Sequence, residues 1–207
     1  QNSLIFKRVF FWLKICILVS IKREIIKPNK GNLLIAEPSI LNDNSFKRTI
    51  VLLTEFAESN AVGFILNRPL EFTIKDLLPD INSQFIIYEG GPVEQDNLYF
   101  IHRVPDLIPD SIAVANGIYW GGNFSSLKIL LQNNILDPTE IRFFLGYSGW
   151  NEHQLLDEIE TDSWFVTEND FKNIFAVDNE TLWKNKLLQK GGEYKLWANA
   201  PSDINLN

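Results

Sequence analysis

Ile141–Ile159 reads IRFFLGYSGWNEHQLLDEI, and the interpretation of this stretch decides the fold. The run Ile141-Arg142-Phe143-Phe144-Leu145 is apolar but for Arg142 and predicts a strand. Gly146-Tyr147-Ser148-Gly149-Trp150 then predicts a tight turn, because two glycines punctuate it. From Asn151 the apolar period becomes helical, with Leu155, Leu156 and Ile159 on one face. Asn151 is suited to cap that helix, and Gln154 three residues later completes a capping box. A strand end, two glycines and a helix start would thus meet at one point, where open α/β sheets place their ligands.

Outward from this stretch, short apolar segments dominate. Leu33–Ala36, closed by Pro38, predicts a strand, after which Asn42–Ser45 predicts a loop or short helical turn. TIVLLT (Thr49–Thr54) and AVGFIL (Ala61–Leu66) predict a hairpin of buried strands. Within that hairpin, Asn60 is expected at positive φ, and Gly63 marks a bulge or a close backbone neighbour. Asn67-Arg68-Pro69 ends the second of these strands. Thr73 and Asp76 have capping-box spacing for a short helix through Leu78. Phe85–Tyr88 and Leu98–His102 predict strands on either side of the turn Glu89-Gly90-Gly91-Pro92-Val93. Ile112–Ala115 and Ile118–Trp120 predict a hairpin around Asn116-Gly117. Asn123 is expected to cap a helix with Leu127, Leu130 and Leu131 inward. Beyond a strand at Ser163–Val166, Thr167 and Asp170 predict a cap for a helical turn over Phe171–Phe175. Asp178 is expected to cap a last helix burying Leu182, Trp183, the Lys186 stem and Leu187, ended by Lys190 and Gly191. Strands outnumber helices and often follow one another directly, which predicts an α+β or mixed α/β class.

The 207 residues are enough for one full core, and we place a single domain over residues 29–207 with a fraying tail. Hydrophobic content of 45% and charged content of 22% are globular values. The net charge of −7 is unevenly spread: residues 1–30 hold seven Lys or Arg and one Glu, the other 177 hold 12 basic and 25 acidic groups. So acidic a body repels phosphate backbones, and direct nucleic-acid binding is not expected. One cysteine, Cys16, excludes an internal disulfide, and two histidines, His102 and His153, supply no zinc set. No metal or cofactor is expected. Val9–Val19 is apolar around Lys14 and too short for a spanning helix of about 20 residues. Residues 1–28 are therefore expected to be a disordered or artefactual leader, and no membrane association is expected unless residues 9–19 serve as an anchor.

Several residues invite chemistry. Gly146-Tyr147-Ser148-Gly149 resembles a nucleophile elbow, but Trp150 stands where the last glycine would let strand and helix pack. His153 on the following turn is poorly placed as a base for Ser148, and His102 could reach it only through the fold. A plain turn outweighs a nucleophile, no catalytic residue is assigned, and a hydrolase using Ser148 is the alternative. Gly90-Gly91-Pro92 could present backbone N–H groups to an anion, yet no lysine or helix start follows at phosphate-loop spacing. Arg68 is expected to pair internally, with Glu89 or Glu158. Asp157, Glu158 and Glu160 are expected on a solvated helix face, and Trp150, Trp164 and Trp183 in the core.

Read together, GNLLIAEP, FKRTIVLL, AVGFILNRP, YEGGPV, LYFIH, LGYSGWNEHQLLDEI and SWFVT occur in fixed order between Gly31 and Gly191. With Phe175 and Trp183, they resemble the AlgH/YqgE family of bacterial proteins. The resemblance implies a bifurcated, partly barrel-like sheet surrounded by helices, and in one branch a transcriptional-regulator label. It carries no accepted catalytic residue. Its motif residues here are Asn67 and Arg68, then Gly90, Gly91 and Pro92, then Tyr147, Gly149, Trp150, Gln154 and Glu158. The family usually has glycine where Asn60 and His153 stand, and often an acid at Leu156. The expected function is a soluble, cytoplasmic binding or regulatory protein. It would engage a small ligand or protein partner at a cleft near the Asn67, Gly90 and Tyr147 corners, with Ser148 beside them.

Overall fold

The structure, a computed structural model, describes residues 26–57, 59–151, 153–170, 174–176 and 179–200. Most of the leader, residues 1–25, lies outside them, as do Asp178 and the start of the expected turn at Phe171. Among the described residues ten strands run β1 Leu33–Ala36, β2 Ile50–Phe56, β3 Asn60–Ile65, β4 Pro69–Thr73, β5 Ile86–Glu89, β6 Val93–His102, β7 Ile112–Ala115, β8 Ile118–Trp120, β9 Ile141–Asn151 and β10 Trp164–Thr167. Five α-helices are interspersed among the described residues: α1 Ile74–Leu77, α2 Phe124–Gln132, α3 Gln154–Glu160, α4 Leu182–Lys190 and α5 Tyr194–Ala198. A 3-10 turn spans Ile174–Ala176. The class is α+β and strand-rich.

The opening stretch holds the main departure from expectation. Gly146–Trp150 is not a turn, because β9 continues unbroken to Asn151 and forks the sheet. Its first half lies between β5, parallel at Phe143–Leu145, and β6, antiparallel at Ile141–Leu145. Its second half, Ser148–Asn151, pairs with β3. One branch therefore runs β10-β1-β2-β3-β9, the other β9-β6-β8-β7 with β5 and β4 alongside. The fork is the bifurcation implied by the resemblance. The sheet curls until a Cβ on Gly31 would lie 2.3 Å from that of Ala115 in β7, but it does not close.

Alternation along β9 explains why the strand is buried on both faces. Phe144 stacks on Phe64 at 4.8 Å in the larger core, which β1, β2 and β3 share with α3, α4 and α5. Its neighbour Phe143 faces the smaller core, where α1 and α2 bury Ile74, Leu127, Leu130 and Leu131. Arg142 enters the larger core's side and is 4% exposed. Its guanidinium donates to the carbonyls of Leu66 (2.8 Å) and Phe175 (2.9 Å) and lies over the Tyr88 ring. Burial lowers its pKa from the ordinary value.

Local signals correctly located α1, with Thr73 and Asp76 as its capping box, and α2, capped by Asn123. Asn116 and Gly117 both take positive φ in the β7–β8 hairpin, as a two-residue turn requires. Four local expectations are corrected. Asn60 begins β3 opposite Asn151 instead of occupying a left-handed turn. The α3 cap is His153 at φ 62°, not Asn151, although Gln154 still bonds the Asn151 N–H at 3.1 Å. Leu156 is exposed while Leu155 and Ile159 are buried. Thr181, not Asp178, precedes α4, whose buried stripe is the expected one. Among the described residues no helix is long and apolar enough to cross a membrane.

Candidate functional site

The fork brings three backbone corners into contact. Gly146 kinks β9 at φ 70°, and residues 94–97 of β6 bulge opposite it, since Val93 pairs with Tyr147 and Leu98 with Leu145. The Gly90 N–H donates to the Leu145 carbonyl at 2.8 Å, and the Gly90 carbonyl accepts from the Ile65 N–H and the Ser148 hydroxyl, both at 3.0 Å. A Cβ on Gly90 would lie 2.1 Å from the Gly146 oxygen, and one on Gly91 2.4 Å from the Ser148 nitrogen. Only bare backbone fits here. The glycines serve close approach of strands more than freedom of φ.

Asn67 and Arg68, between β3 and β4, reach the opposite way and hold the loop Asp43–Arg48. The Asn67 amide accepts from the Ile50 N–H and donates to the Arg48 carbonyl, both at 2.9 Å. Arg68 donates to the carbonyls of Ser45 (2.7 Å) and Lys47 (3.1 Å) and pairs with Glu89 at 3.3 Å. Glu89, not Glu158, is thus its acidic partner. The same loop is gripped from its other side. Phe46 stacks on Trp150 and meets Trp164 edge-on at 5.2 Å. Glu158 accepts from the indole N–H groups of both tryptophans at 2.8 Å and from Gln154 at 2.9 Å. The solvated face expected for Glu158 is therefore corrected: helical spacing aims it at two buried indoles, as their donors require. Phe46 and Arg48 were not singled out from sequence. Arg48 sits at φ 57°, donates to the Ala200 carbonyl and lies over the Trp183 ring. Its place in the FKR motif was the available signal.

Ser148 is 0% exposed, with its hydroxyl committed to the Gly90 carbonyl. His102 stands opposite Ile141, which precedes Ser148 by about 23 Å along an extended strand. Buried in its own polar niche, His102 faces the Gly121 carbonyl through Nε2 (3.1 Å) and receives the Val104 N–H at Nδ1 (3.2 Å). Only the neutral ring with its proton on Nε2 satisfies both. Burial accordingly lowers the His102 pKa. Below about pH 6.5 the unfolded chain takes up a proton that the folded chain refuses, so stability is expected to fall as pH drops from 7 to 5. Urea midpoints measured across that window should show the slope, and His102→Gln, which keeps one donor and one acceptor, should flatten it.

The outer surface of the corner consists of exposed Pro92 and half-buried Tyr147, Gly149 and Tyr99. Tyr99 meets Tyr147 edge-on and donates its hydroxyl to Glu94. Burial, then that bond, raises the Tyr99 pKa. Two clefts lie elsewhere. One of about 550 Å³ borders β10 and α4, another of about 380 Å³ borders Asn60 and His153. Neither takes a residue of the Asn67, Gly90 or Tyr147 corners into its wall. No group of three His, Cys, Asp or Glu suited to a metal occurs among the described residues.

Comparison with known proteins adds a lineage to this geometry. A family model described as AlgH-like matches residues 33–195. A UPF0301 protein of Chlorobium chlorochromatii is 40% identical over 188 residues, covering 90% of this chain and 100% of that protein. A UPF0301 protein of Cytophaga hutchinsonii is 41% identical over 180 residues, 86% of this chain and 98% of that one. Among solved structures, protein DIP2367 of Corynebacterium diphtheriae superimposes with a TM-score of 0.68 at 22% identity, over 86% of this chain and 95% of that chain. The AlgH protein of Pseudomonas aeruginosa gives 0.65 at 23%, over 86% and 98%. At those identities the structural likeness is one of fold.

Proposed function

Because the chain belongs to the AlgH-like family, we propose that its shared motifs build a rigid recognition platform in a non-enzymatic, cytoplasmic binding or regulatory protein. The observation that carries this reading is the commitment of the motif's polar groups to one another. Asn67, Arg68, Ser148 and Glu158 each bond a backbone or side-chain partner inside the protein. Groups so engaged position a surface more readily than they transform a substrate. The surface they position is Pro92, Tyr147 and Gly149, with the loop Asp43–Arg48 held behind it. A half-exposed tyrosine on a stiff backbone suits a protein or small-molecule contact at little entropic cost. Regulation in this reading works through that contact, since the acidic body disfavours phosphate backbones.

Co-purification with mass spectrometry tests the platform. Wild type is expected to retain metabolites or proteins that Pro92→Lys and Tyr147→Ala both lose while staying folded, Tyr147→Ala with the modest loss of stability that follows from its contact with Tyr99. Identical retention by all three contradicts the reading. A fluorophosphonate probe is expected to leave Ser148 unlabelled, and labelling there would restore the hydrolase alternative. Gel shifts at physiological ionic strength should show no DNA binding.

A further inference from the structure

We propose that the corner between Tyr99 and Tyr147 receives an arginine side chain of a protein partner. This rests on the platform reading above and names the chemistry that the partner must carry.

Two backbone irregularities build the corner. Tyr99 stands opposite Phe144, so both lie on the larger core's side of the sheet. In a regular strand Tyr147, three residues past Phe144, would point to the opposite face. The kink at Gly146 turns it to the Tyr99 side, where the two rings meet at 5.6 Å and 80°. The Tyr147 ring also lies against bare backbone at Gly149, where a Cβ would stand 3.0 Å from its Cε2. Facing the kink, the bulge at residues 94–97 holds Glu94 at φ 49°, a left-handed conformation that costs a non-glycine residue energy. There Glu94 accepts the Tyr99 hydroxyl and, at 2.8 Å, the Asn97 side-chain amide. Bulges commonly re-aim a side chain in this way.

Two nearly perpendicular aromatic rings beside a carboxylate are suited to a cation, because ring faces carry negative charge. The Tyr99 bond, then the Asn97 bond, hold the Glu94 carboxyl below its usual pKa, so it is charged at neutral pH. Glu94 and Asp96 are exposed and both tyrosines half-buried, so an incoming group meets all four. Elsewhere the protein sets its own cations on aromatic rings: Arg142 over Tyr88, Arg48 over Trp183, Lys190 over Phe165 and Tyr194. Among the described residues no lysine or arginine of the chain contacts Tyr99, Tyr147, Glu94 or Asp96 in this way. Arginine suits the corner better than lysine, since its planar guanidinium stacks on a ring while its N–H edge bonds a carboxylate. A protein suits it better than a free cation. The corner borders neither cleft, so a lone cation would stay largely hydrated, whereas a partner chain also covers Pro92 and Val93.

The test titrates the isotope-labelled full chain with two pentapeptides, Gly-Ala-Arg-Ala-Gly and its citrulline counterpart, which keeps the shape and removes the charge. The arginine peptide is expected to bind at least about fivefold more tightly and to shift the ring resonances of Tyr99 and Tyr147. Glu94→Gln, which keeps an acceptor for the Tyr99 hydroxyl, should remove that preference. Equal affinity for the two peptides would overturn the proposal. So would an arginine preference that survives Glu94→Gln or that shifts neither ring. Co-purification separates this proposal from the platform it rests on. Partners lost by Tyr147→Ala yet fully kept by Glu94→Gln would leave the platform standing and sink the arginine contact. Partners kept by both variants would remove the platform, and the arginine contact with it.

Discussion

Gly90→Ala is expected to destabilise the protein by about 4 kcal/mol or to abolish folding, an effect far beyond an ordinary surface change. The added carbon would stand 2.1 Å from the Gly146 carbonyl oxygen and 3.0 Å from the Phe144 Cβ. Neither is the far end of a flexible side chain. Relief requires β5 and β9 to separate at the fork, and that removes the Gly90 bonds to Leu145, Ile65 and Ser148 together. Gly117→Ala supplies the contrast. Gly117 has φ 73° and nothing within 4 Å of an added carbon, so the change meets only backbone strain of about 1 kcal/mol. Urea unfolding of both variants measures the difference, and equal losses would mean that the corner yields easily.

Glu158→Ala is the second large effect, expected at about 3 kcal/mol because hydrogen bonds to a charged acceptor are worth more than neutral ones and two donors would be stranded. Trp150 and Trp164 are 3% and 2% exposed, so their N–H groups have no ready access to water. Glu158→Gln keeps one carbonyl acceptor and should lose about half as much. Denaturation followed by tryptophan fluorescence reads both the stability and the environment of the two indoles. A loss within the range of an exposed side chain, under about 0.5 kcal/mol, would show that the carboxylate does not hold the Phe46 loop.

What the sequence made legible follows from the range of each interaction. Thr73 with Asp76, Asn123 as a cap, and Asn116-Gly117 act within four residues, and each landed where the sequence implied. The apolar runs of β1, β2 and β3 were legible because both faces are buried. Gly146–Trp150 misled because glycines mark turns and bulges alike, and the pairing of Ser148–Asn151 with β3, across more than eighty residues, distinguishes them here. Pro69 follows the end of β3 and starts β4, an edge strand where proline's missing N–H is tolerated. Glu158 misled in the same way: helical spacing placed it on a solvated face with Asp157 and Glu160, while its two indole partners depend on how β9 and β10 pack. The family motifs gather around Asn67, Gly90 and Tyr147, and the contacts among those corners became visible only in three dimensions.

Native-state amide hydrogen exchange at the fork addresses the central claim most directly. If the three corners form one rigid unit, the Ile65 and Gly90 amides should exchange only through global unfolding, with an opening free energy equal to that from urea denaturation. Exchange of these two amides through an opening several kcal/mol below the global value would mean that the corner breathes on its own, and the platform reading would fail.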